Sequence, residues 1–346
     1  MKYSYLLSFL FLTLPFQSFS QSDTVTVIGV GDIMLGSNYP SEDYLPANKG
    51  ADLLKQAHDI LKNATITFGN LEGTVLNSGG NVKKCANPAA CYAFRMPEYM
   101  IDNLLAAGFD VLSIANNHVG DFGEAGRTNA PKALKKKGLY YAGLNSCPTV
   151  IFEKKGIKFG LAAFAPNTGT VNINDLPNAV HLVKQLQAQV DIVIVSFHGG
   201  AEGVNHQHVK RKKEIFYGED RSNVYEFAHK VIDAGADIVF GHGPHVTRAV
   251  EVYKDRFIAY SLGNFCTYKQ FSLKGVSGIA PIIKVFTDKQ GKFSKAQITP
   301  IYQLASGGVV LDKQKQVIEI IQNLTKADFP EGKTKISDNG LITTSK

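Results

Sequence analysis

The chain has 346 residues, of which 44% are hydrophobic and 19% are charged. This composition supplies a sizeable hydrophobic core and excludes an intrinsically disordered protein. The net charge is +7, but much of the excess lies in short basic runs at 135–137 and 210–213, which are typical of solvated surfaces. No helix-turn-helix or RNA-binding pattern accompanies these runs, so we do not expect nucleic-acid binding.

The first twenty residues are typical of a secretory signal peptide. Lys2 provides a positive start, residues 6–14 form an apolar core, and Ser18-Phe19-Ser20 is a small-x-small cleavage site. The apolar run is shorter than the roughly 20 residues that a membrane helix needs. We therefore expect an exported protein, periplasmic or secreted, whose mature chain begins near Gln21 and contains no transmembrane segment.

The cysteines at positions 85, 91, 147 and 266 match no zinc-binding spacing. A disulfide is permitted in an exported protein, and Cys85 and Cys91 bracket a short loop that contains Asn and Pro. The sequence leaves open whether these two cysteines are joined or whether all four stay reduced.

After Gln21, apolar runs alternate with amphipathic helical patterns. Strands are predicted at 25–28, 65–68, 111–114, 157–163, 191–197, 237–240 and 257–260. Helices are predicted at 51–61, 97–107, 131–137, 178–189 and 224–234, and surface loops at 77–90 and 205–221. This alternation predicts an α/β protein.

The rhythm changes after Val276. Two β-rich runs at 279–286 and 293–302 flank a turn at 288–291, which predicts a β-hairpin. A helix at 317–324 and a polar tail follow. We expect a signal peptide at 1–20, one α/β domain with a C-terminal β-hairpin at 21–310, and a helix with a polar tail at 311–346.

Polar residues follow five of the predicted strands, where open α/β sheets carry their sites. Carboxylate, imidazole and amide oxygen together suit a divalent ion such as manganese, zinc or iron. Alone, Asp32 could cap a turn and His198 could be a hydrogen-bonded core residue. The repetition at five strand ends favours a metal site built from Asp32, then Asn70 and Glu72, then Asn116, Asn117, His118 and Asp121, then His198 and Glu202, and then His242 and His245.

These motifs resemble those of the bacterial capsule-synthesis CapA family, the poly-γ-glutamate capsule proteins. The resemblance runs from about Thr24 to Phe265, and its most specific segments are 115–118 (Ala-Asn-Asn-His) and 261–265 (Ser-Leu-Gly-Asn-Phe). It implies the fold of the calcineurin-like metallophosphoesterases, which is a β-sandwich flanked by helices with metal ligands on loops at strand ends.

The resemblance also implies residue roles. His118 would be the catalytic acid or base, oriented by Asp121. Met34 stands where the phosphoesterases have a histidine and Asn70 where they have an aspartate, so a single ion, or a second weakly held one, is expected. The implied metal ligands are Asp32, Glu72, Asn117, His198 and His242, and the implied substrate or supporting contacts are Asn70, Asn116, Glu202, His245 and Asn264.

The function implied is that of an exported, metal-dependent, hydrolase-like protein of capsule or poly-γ-glutamate biosynthesis. Its expected partners are an anionic polymer or peptide-like envelope substrate and capsule synthase or export proteins, with the loop lysines and Arg211 suited to carboxylates. Two alternatives stay open. One is a non-catalytic component that binds polymer or partner, and the other is an ordinary metallophosphoesterase.

Overall fold

The computed structural model describes residues 24–85, 91–304 and 306–345, so the predicted signal peptide lies outside the described residues. The strands of the first part of the chain are β1 (Val25–Met34), β2 (Ile66–Leu71), β3 (Thr74–Val75), β4 (Arg95–Met96), β5 (Val111–Ser113), β6 (Tyr140–Ala142), β7 (Thr149–Lys154), β8 (Ile157–Phe164), β9 (Ile192–His198) and β10 (Ile215–Phe216). Those that follow are β11 (Glu219–Asp220), β12 (Ile238–His242), β13 (Val250–Tyr253), β14 (Arg256–Ala259), β15 (Asn264–Thr267), β16 (Ile279–Thr287), β17 (Phe293–Gln303), β18 (Val309–Leu311), β19 (Thr334–Ile336) and β20 (Leu341–Thr344). The α-helices are α1 (His58–Leu61), α2 (Ile101–Ala107), α3 (Gly123–Lys137), α4 (Leu176–Gln187), α5 (Val224–Asp233) and α6 (Gln316–Asp328).

Two large sheets form the centre of the protein. The first has the order β19-β20-β17-β16-β1-β2-β5-β6, with β15 beside β1 and β18 beside β17. The second has the order β13-β14-β12-β9-β8-β7. In each sheet the central strands that carry predicted site residues run parallel, namely β15, β1, β2 and β5 in one and β9 and β12 in the other.

The two sheets pack face to face. Phe68 of the first sheet stacks on Phe240 of the second, with ring centroids 5.4 Å apart. Helices α2 and α3 contribute to the core on the outer face of the first sheet, and α4 and α5 to the core on the outer face of the second. The predicted α/β β-sandwich flanked by helices is therefore confirmed, with α6 packed against β16 and β17.

Local sequence explains the helices that flank the second sheet. The Asn223 side chain accepts a hydrogen bond from the Glu226 amide at the start of α5. Val224, Phe227 and Val231 follow at helical spacing and are fully buried. Each such side chain stabilises the fold by about 1.5–3 kcal/mol relative to an exposed one.

Some predicted elements differ from the structure. The predicted hairpin is present as β16 and β17, but the predicted polar tail forms β19 and β20, which pair with each other, and β20 also pairs with β17. The predicted loop at 205–221 contains the hairpin of β10 and β11. Helix α3 begins at Gly123 rather than at Pro131. The prediction placed the start at Pro131 because proline usually marks a first helical turn, whereas here it lies inside the helix.

Cys85 and Cys91 are joined by a disulfide, whereas Cys147 and Cys266 are free. Within the described ranges, no helix has the length and hydropathy that crossing a membrane requires.

Candidate metal centre

Strand register brings the predicted site residues together. Asp32 near the end of β1 pairs with Asn70 of β2 on one side and with Asn264 of β15 on the other. In the second sheet, His198 ends β9 directly beside His242 at the end of β12. Because these parallel strands all end at one edge of the sandwich, residues that are far apart in the chain share a small volume.

Gly31 allows the close approach that positions Asp32. The Asp32 amide donates a 2.8 Å hydrogen bond to the carbonyl of Gly263. A Cβ atom at position 31 would lie 1.9 Å from that same carbonyl oxygen, which is a severe clash. The Gly31-Asp32 pair of the sequence is therefore a requirement of the backbone at this point.

Three predicted ligands form a compact cluster. Asp32, Glu72 and His198 each offer a ligand atom, and these atoms lie within 4.8 Å of one another. All three side chains are buried. Two carboxylates and an imidazole at this spacing are a donor set that divalent manganese, zinc or iron binds.

Two histidines bracket Asp32. Nδ1 of His245 lies 2.9 Å from Oδ2 of Asp32, and Nδ1 of His242 lies 3.4 Å from Oδ1. Burial alone would raise the pKa of Asp32, but the two imidazoles outweigh it and hold that pKa below its usual range. Burial alone would lower the pKa of His245, whereas the hydrogen bond and charge of Asp32 raise it to about 10.

Glu72 lies near two histidines of the site. Its Oε2 is 3.5 Å from Nδ1 of His198, and its Oε1 is 4.0 Å from Nε2 of His118. Burial, followed by the charge of Asp32, raises the pKa of Glu72 to about 8. Burial also lowers the pKa of His198 well below its usual value. The shift of Glu72 is that of a carboxylate buried without a compensating cation, and the shift of His198 favours the neutral imidazole that binds metals.

Buried atoms without partners test whether a metal fits here. Among the described residues, Oε1 of Glu72 and both ring nitrogens of His198 and of His242 have no hydrogen-bond partner. Buried polar groups are normally paired, so unpaired ligand atoms that converge on one point indicate a missing ligand. The residues present therefore fit a divalent cation.

Asn70 lies between the two carboxylates. Its Nδ2 donates to Oδ1 of Asp32 at 2.8 Å and to Oε2 of Glu72 at 2.7 Å. The side-chain amide can present its oxygen to the same space by rotating through half a turn. Asn70 is thus placed to satisfy the carboxylates or to contact a bound ion. Met34, the other departure from the phosphoesterase pattern, is buried in β1.

The two asparagines of the Asn-Asn-His motif differ in their contacts. Asn116 donates to the Leu71 carbonyl at 2.8 Å and accepts from the His118 amide at 3.0 Å, so it shapes the loop. Oδ1 of Asn117 is buried and, in the described part of the chain, without a partner. Asn117 is therefore the one of the two with a free ligand oxygen.

His118 is held by the residue predicted to orient it. Its Nδ1 lies 2.8 Å from Oδ2 of Asp121, whose Oδ1 lies 2.6 Å from Nζ of Lys83. Phe94 stacks on the imidazole with centroids 4.1 Å apart. Burial, only partly offset by Asp121, lowers the pKa of His118. A fixed, neutral imidazole beside the cluster can accept or donate a proton.

The remaining predicted residues lie at the rim or support it. Asn264 donates to the carbonyls of His245 at 3.2 Å and Ser277 at 3.1 Å. Glu202 pairs with Arg221 at 3.0 Å beside the cluster's opening. Arg211, predicted to suit a carboxylate-rich ligand, instead pairs with Glu331 after α6.

The sequence did not single out Lys83, Phe94 or Phe271. Lys83 contacts Asp121, and the rings of Phe94 and Phe271 cover His118 and His245. All three lie outside the strands and helices, so no periodic pattern marks them.

Comparison with known proteins places the chain in a family. Residues 26–269 match the model described as bacterial capsule synthesis protein PGA_cap. The capsule biosynthesis protein CapA of Bacillus anthracis is 28% identical over 71% of this chain and 60% of its own length. The PGA biosynthesis protein CapA of Bacillus subtilis (strain 168) is 27% identical over 88% of this chain and 78% of its own.

A putative 5′-nucleotidase from Staphylococcus aureus, solved in complex with α-ketoglutarate, is a structural neighbour at 14% identity. The match covers 89% of this chain and 58% of that protein's chain, with a TM-score of 0.46. The family model spans most of the chain, and its match includes the whole predicted metal site. The chain belongs to the bacterial capsule synthesis protein family PGA_cap.

Proposed function

We propose that this chain is an exported, metal-dependent hydrolase of its family that acts on an envelope polymer during capsule or related polymer biosynthesis. One observation carries the proposal. Asp32, Glu72 and His198 converge within 4.8 Å, and buried ligand atoms of the cluster have no hydrogen-bond partner among the described residues. The names of the Bacillus relatives support the biological setting.

The residues would divide the work. Asp32, Glu72, His198, His242 and Asn117 would hold a divalent cation of manganese, zinc or iron, with His245 and Asn70 beside them. The cation would supply Lewis-acid polarisation of a carbonyl or phosphoryl oxygen. His118, oriented by Asp121 at 2.8 Å, would move the proton of the reaction at its Nε2, which faces Glu72.

Export is supported by the signal-peptide pattern of residues 1–20. The Cys85–Cys91 disulfide supports it independently, because such bonds persist mainly in oxidising compartments. Capsule synthase or export proteins are the partners that this location would offer.

The test is turnover by purified protein. We would incubate it with manganese or zinc and a panel of γ-glutamyl, peptidoglycan and phosphoester substrates. We expect turnover of at least one class and a loss of at least about 100-fold in His118→Ala. His181→Ala, an exposed histidine on α4, is the matched control and should keep full activity. Absence of turnover across the panel would contradict the hydrolase proposal.

A second candidate function is binding of an envelope polymer or partner without turnover. The Asn70 amide favours it, because donation to both Asp32 and Glu72 satisfies carboxylates that would otherwise demand a cation. In that case the protein would bind polymer without metal, and His118→Ala would bind it equally well.

A further inference from the structure

The metal cluster opens into a cleft whose walls are unusually aromatic. The cleft has a volume of about 610 Å³, and Asn117, His118 and His245 form part of its lining. Five aromatic side chains line it, namely Tyr92, Phe94, Phe216, Tyr217 and Phe271. Clefts of this size and lining bind ligands that present apolar faces together with a few polar groups.

The inner aromatic rings lead directly to the site. Phe94 stacks on His118 at 4.1 Å and on Phe271 at 4.9 Å, measured between ring centroids. Phe271 in turn meets His245 edge-on at 5.4 Å. A ligand ring that lies along this wall would therefore arrive next to the two histidines.

The outer wall carries an exposed tyrosine at a strained position. Tyr217 is at the tip of the β10–β11 hairpin, with φ 48°, followed by Gly218 with φ 80°. Tight hairpin turns with two positive φ angles favour Asn followed by Gly, so tyrosine is a poor choice for the backbone. Its side chain is 89% exposed, and its ring meets that of Phe216 with centroids 4.4 Å apart. A largely exposed aromatic side chain on a left-handed backbone, at the edge of the cleft, is placed to contact a ligand.

Tyr92 lines the same cleft but comes from another segment of the chain. It is 52% exposed and directly follows Cys91, whose disulfide with Cys85 fixes the start of this wall. Tyrosines with exposed faces and polar tips are the side chains on which rings with one apolar face stack.

Away from the metal cluster and His245, the walls of the cleft lack the charge that a polyanion would need. Among the described residues that line it there is no lysine or arginine, while Glu202 contributes a carboxylate. The Arg221 guanidinium lies over the ring of Phe216 and is paired with Glu202 and Glu219, each at 3.0 Å. The basic run at 135–137 lies at the end of α3, outside this lining.

We propose that the cleft binds a neutral glycan segment. Its sugar rings stack on Tyr217 and Tyr92, and this stacking positions a linkage of the glycan at the metal cluster. This inference rests on the proposed function, because it names the substrate class of the same site. The rings supply apolar faces for the aromatic walls, and the hydroxyl groups suit the amide and imidazole groups beside them. A γ-linked glutamate polymer has no ring faces, and no lysine or arginine among the described lining residues could pair with its carboxylates.

The test is binding measured by isothermal titration calorimetry on the full mature chain loaded with manganese. The probes are neutral hexasaccharides (β-1,4-linked N-acetylglucosamine, β-1,4-linked glucose and α-1,4-linked glucose) and a γ-linked glutamate hexamer. We expect at least one hexasaccharide to bind, and Tyr217→Ala and Tyr92→Ala each to weaken it by about tenfold. Tyr140→Ala, an exposed tyrosine outside the cleft, is the control and should bind normally.

Two outcomes would overturn the proposal. One is that no hexasaccharide binds, and the other is that the γ-linked glutamate hexamer binds and depends on Tyr217. Repeating the titration after chelation separates this inference from the proposed function. Stacking on the rim does not require the metal, so we expect glycan binding to persist after chelation. Glycan binding by the manganese-loaded protein without turnover of the bound glycan would leave the glycan proposal standing and remove the hydrolase proposal.

Discussion

The two ends of strand β12 place buried polar groups in opposite situations. Asp237, just before the strand, accepts from the Val193 amide at 2.7 Å and pairs with Nε of Arg256 at 2.8 Å. His242, at the other end, has no hydrogen-bond partner for either nitrogen within the described residues. Burial is costly unless a polar group is paired, so the first end is explained by the fold alone. The second end has the unpaired groups that a bound cation would satisfy.

Among buried polar groups that have a partner, the largest effect is expected at the Arg248–Glu214 ion pair. Both side chains are buried, and two guanidinium nitrogens lie 2.9 Å from the Glu214 carboxylate. Arg248→Met should lower the free energy of unfolding by about 3–5 kcal/mol, because it leaves Glu214 buried without its partner. Urea unfolding measures this change. The double variant Arg248→Met/Glu214→Leu should recover most of the lost free energy of unfolding. A single variant as stable as the native protein would contradict the claim that buried polar groups here depend on their partners.

Asp237 should make stability depend on pH. Burial raises the pKa of Asp237 from 3.8 to about 6, so the folded state holds this proton more tightly than the unfolded state. The cost of ionising it is absent below about pH 4 and complete above about pH 6. Relative to Asp237→Asn, the native protein should therefore lose about 2–3 kcal/mol of stability as pH rises across that window. Urea unfolding at several pH values measures the difference.

The exposed Asp233→Asn variant is the control for this pH series, since it removes a carboxylate without a buried partner. A flat difference between the native protein and Asp237→Asn from pH 4 to 7 would contradict the argument.

The unpaired end of β12 should respond in the opposite way. His242→Gln removes a buried ring whose nitrogens have no hydrogen-bond partner among the described residues but which lies 3.4 Å from Asp32, so the unfolding free energy of metal-free protein should fall by about 1–2 kcal/mol. Added manganese should raise the melting temperature of the native protein but not of the variant, because ligands stabilise only the state that binds them. Equal stabilisation of both proteins by manganese would show that His242 is not a metal ligand.

The smallest effect is expected at Lys83, whose Nζ lies 2.6 Å from Oδ1 of Asp121 and 3.3 Å from Nδ1 of His118. Lys83→Met should reduce turnover a few-fold, because a partly exposed ion pair contributes up to about 1 kcal/mol, and should leave metal content unchanged. Steady-state kinetics with parallel metal analysis would show it. Lys137→Met, which breaks a surface pair with Asp102, is the control.

The sequence predicted the site best where strands determine it. Asp32, His198 and His242 end apolar runs, and parallel pairing then makes them neighbours. Phe94 and Phe271 could not be predicted, because they lie on loops whose positions depend on tertiary contacts. The strands of the tail were missed for another reason. β19 and β20 are short and partly exposed, so they lack the apolar alternation that marks a strand.

The most direct test of the account is the metal content of purified protein. After incubation with manganese or zinc and removal of free ion, elemental analysis should find about one ion or more per native chain. His198→Ala and His242→Ala should lose the ion while circular dichroism shows a folded protein, and His181→Ala should retain it. A native chain without bound metal, or variants that keep it fully, would contradict the central claim.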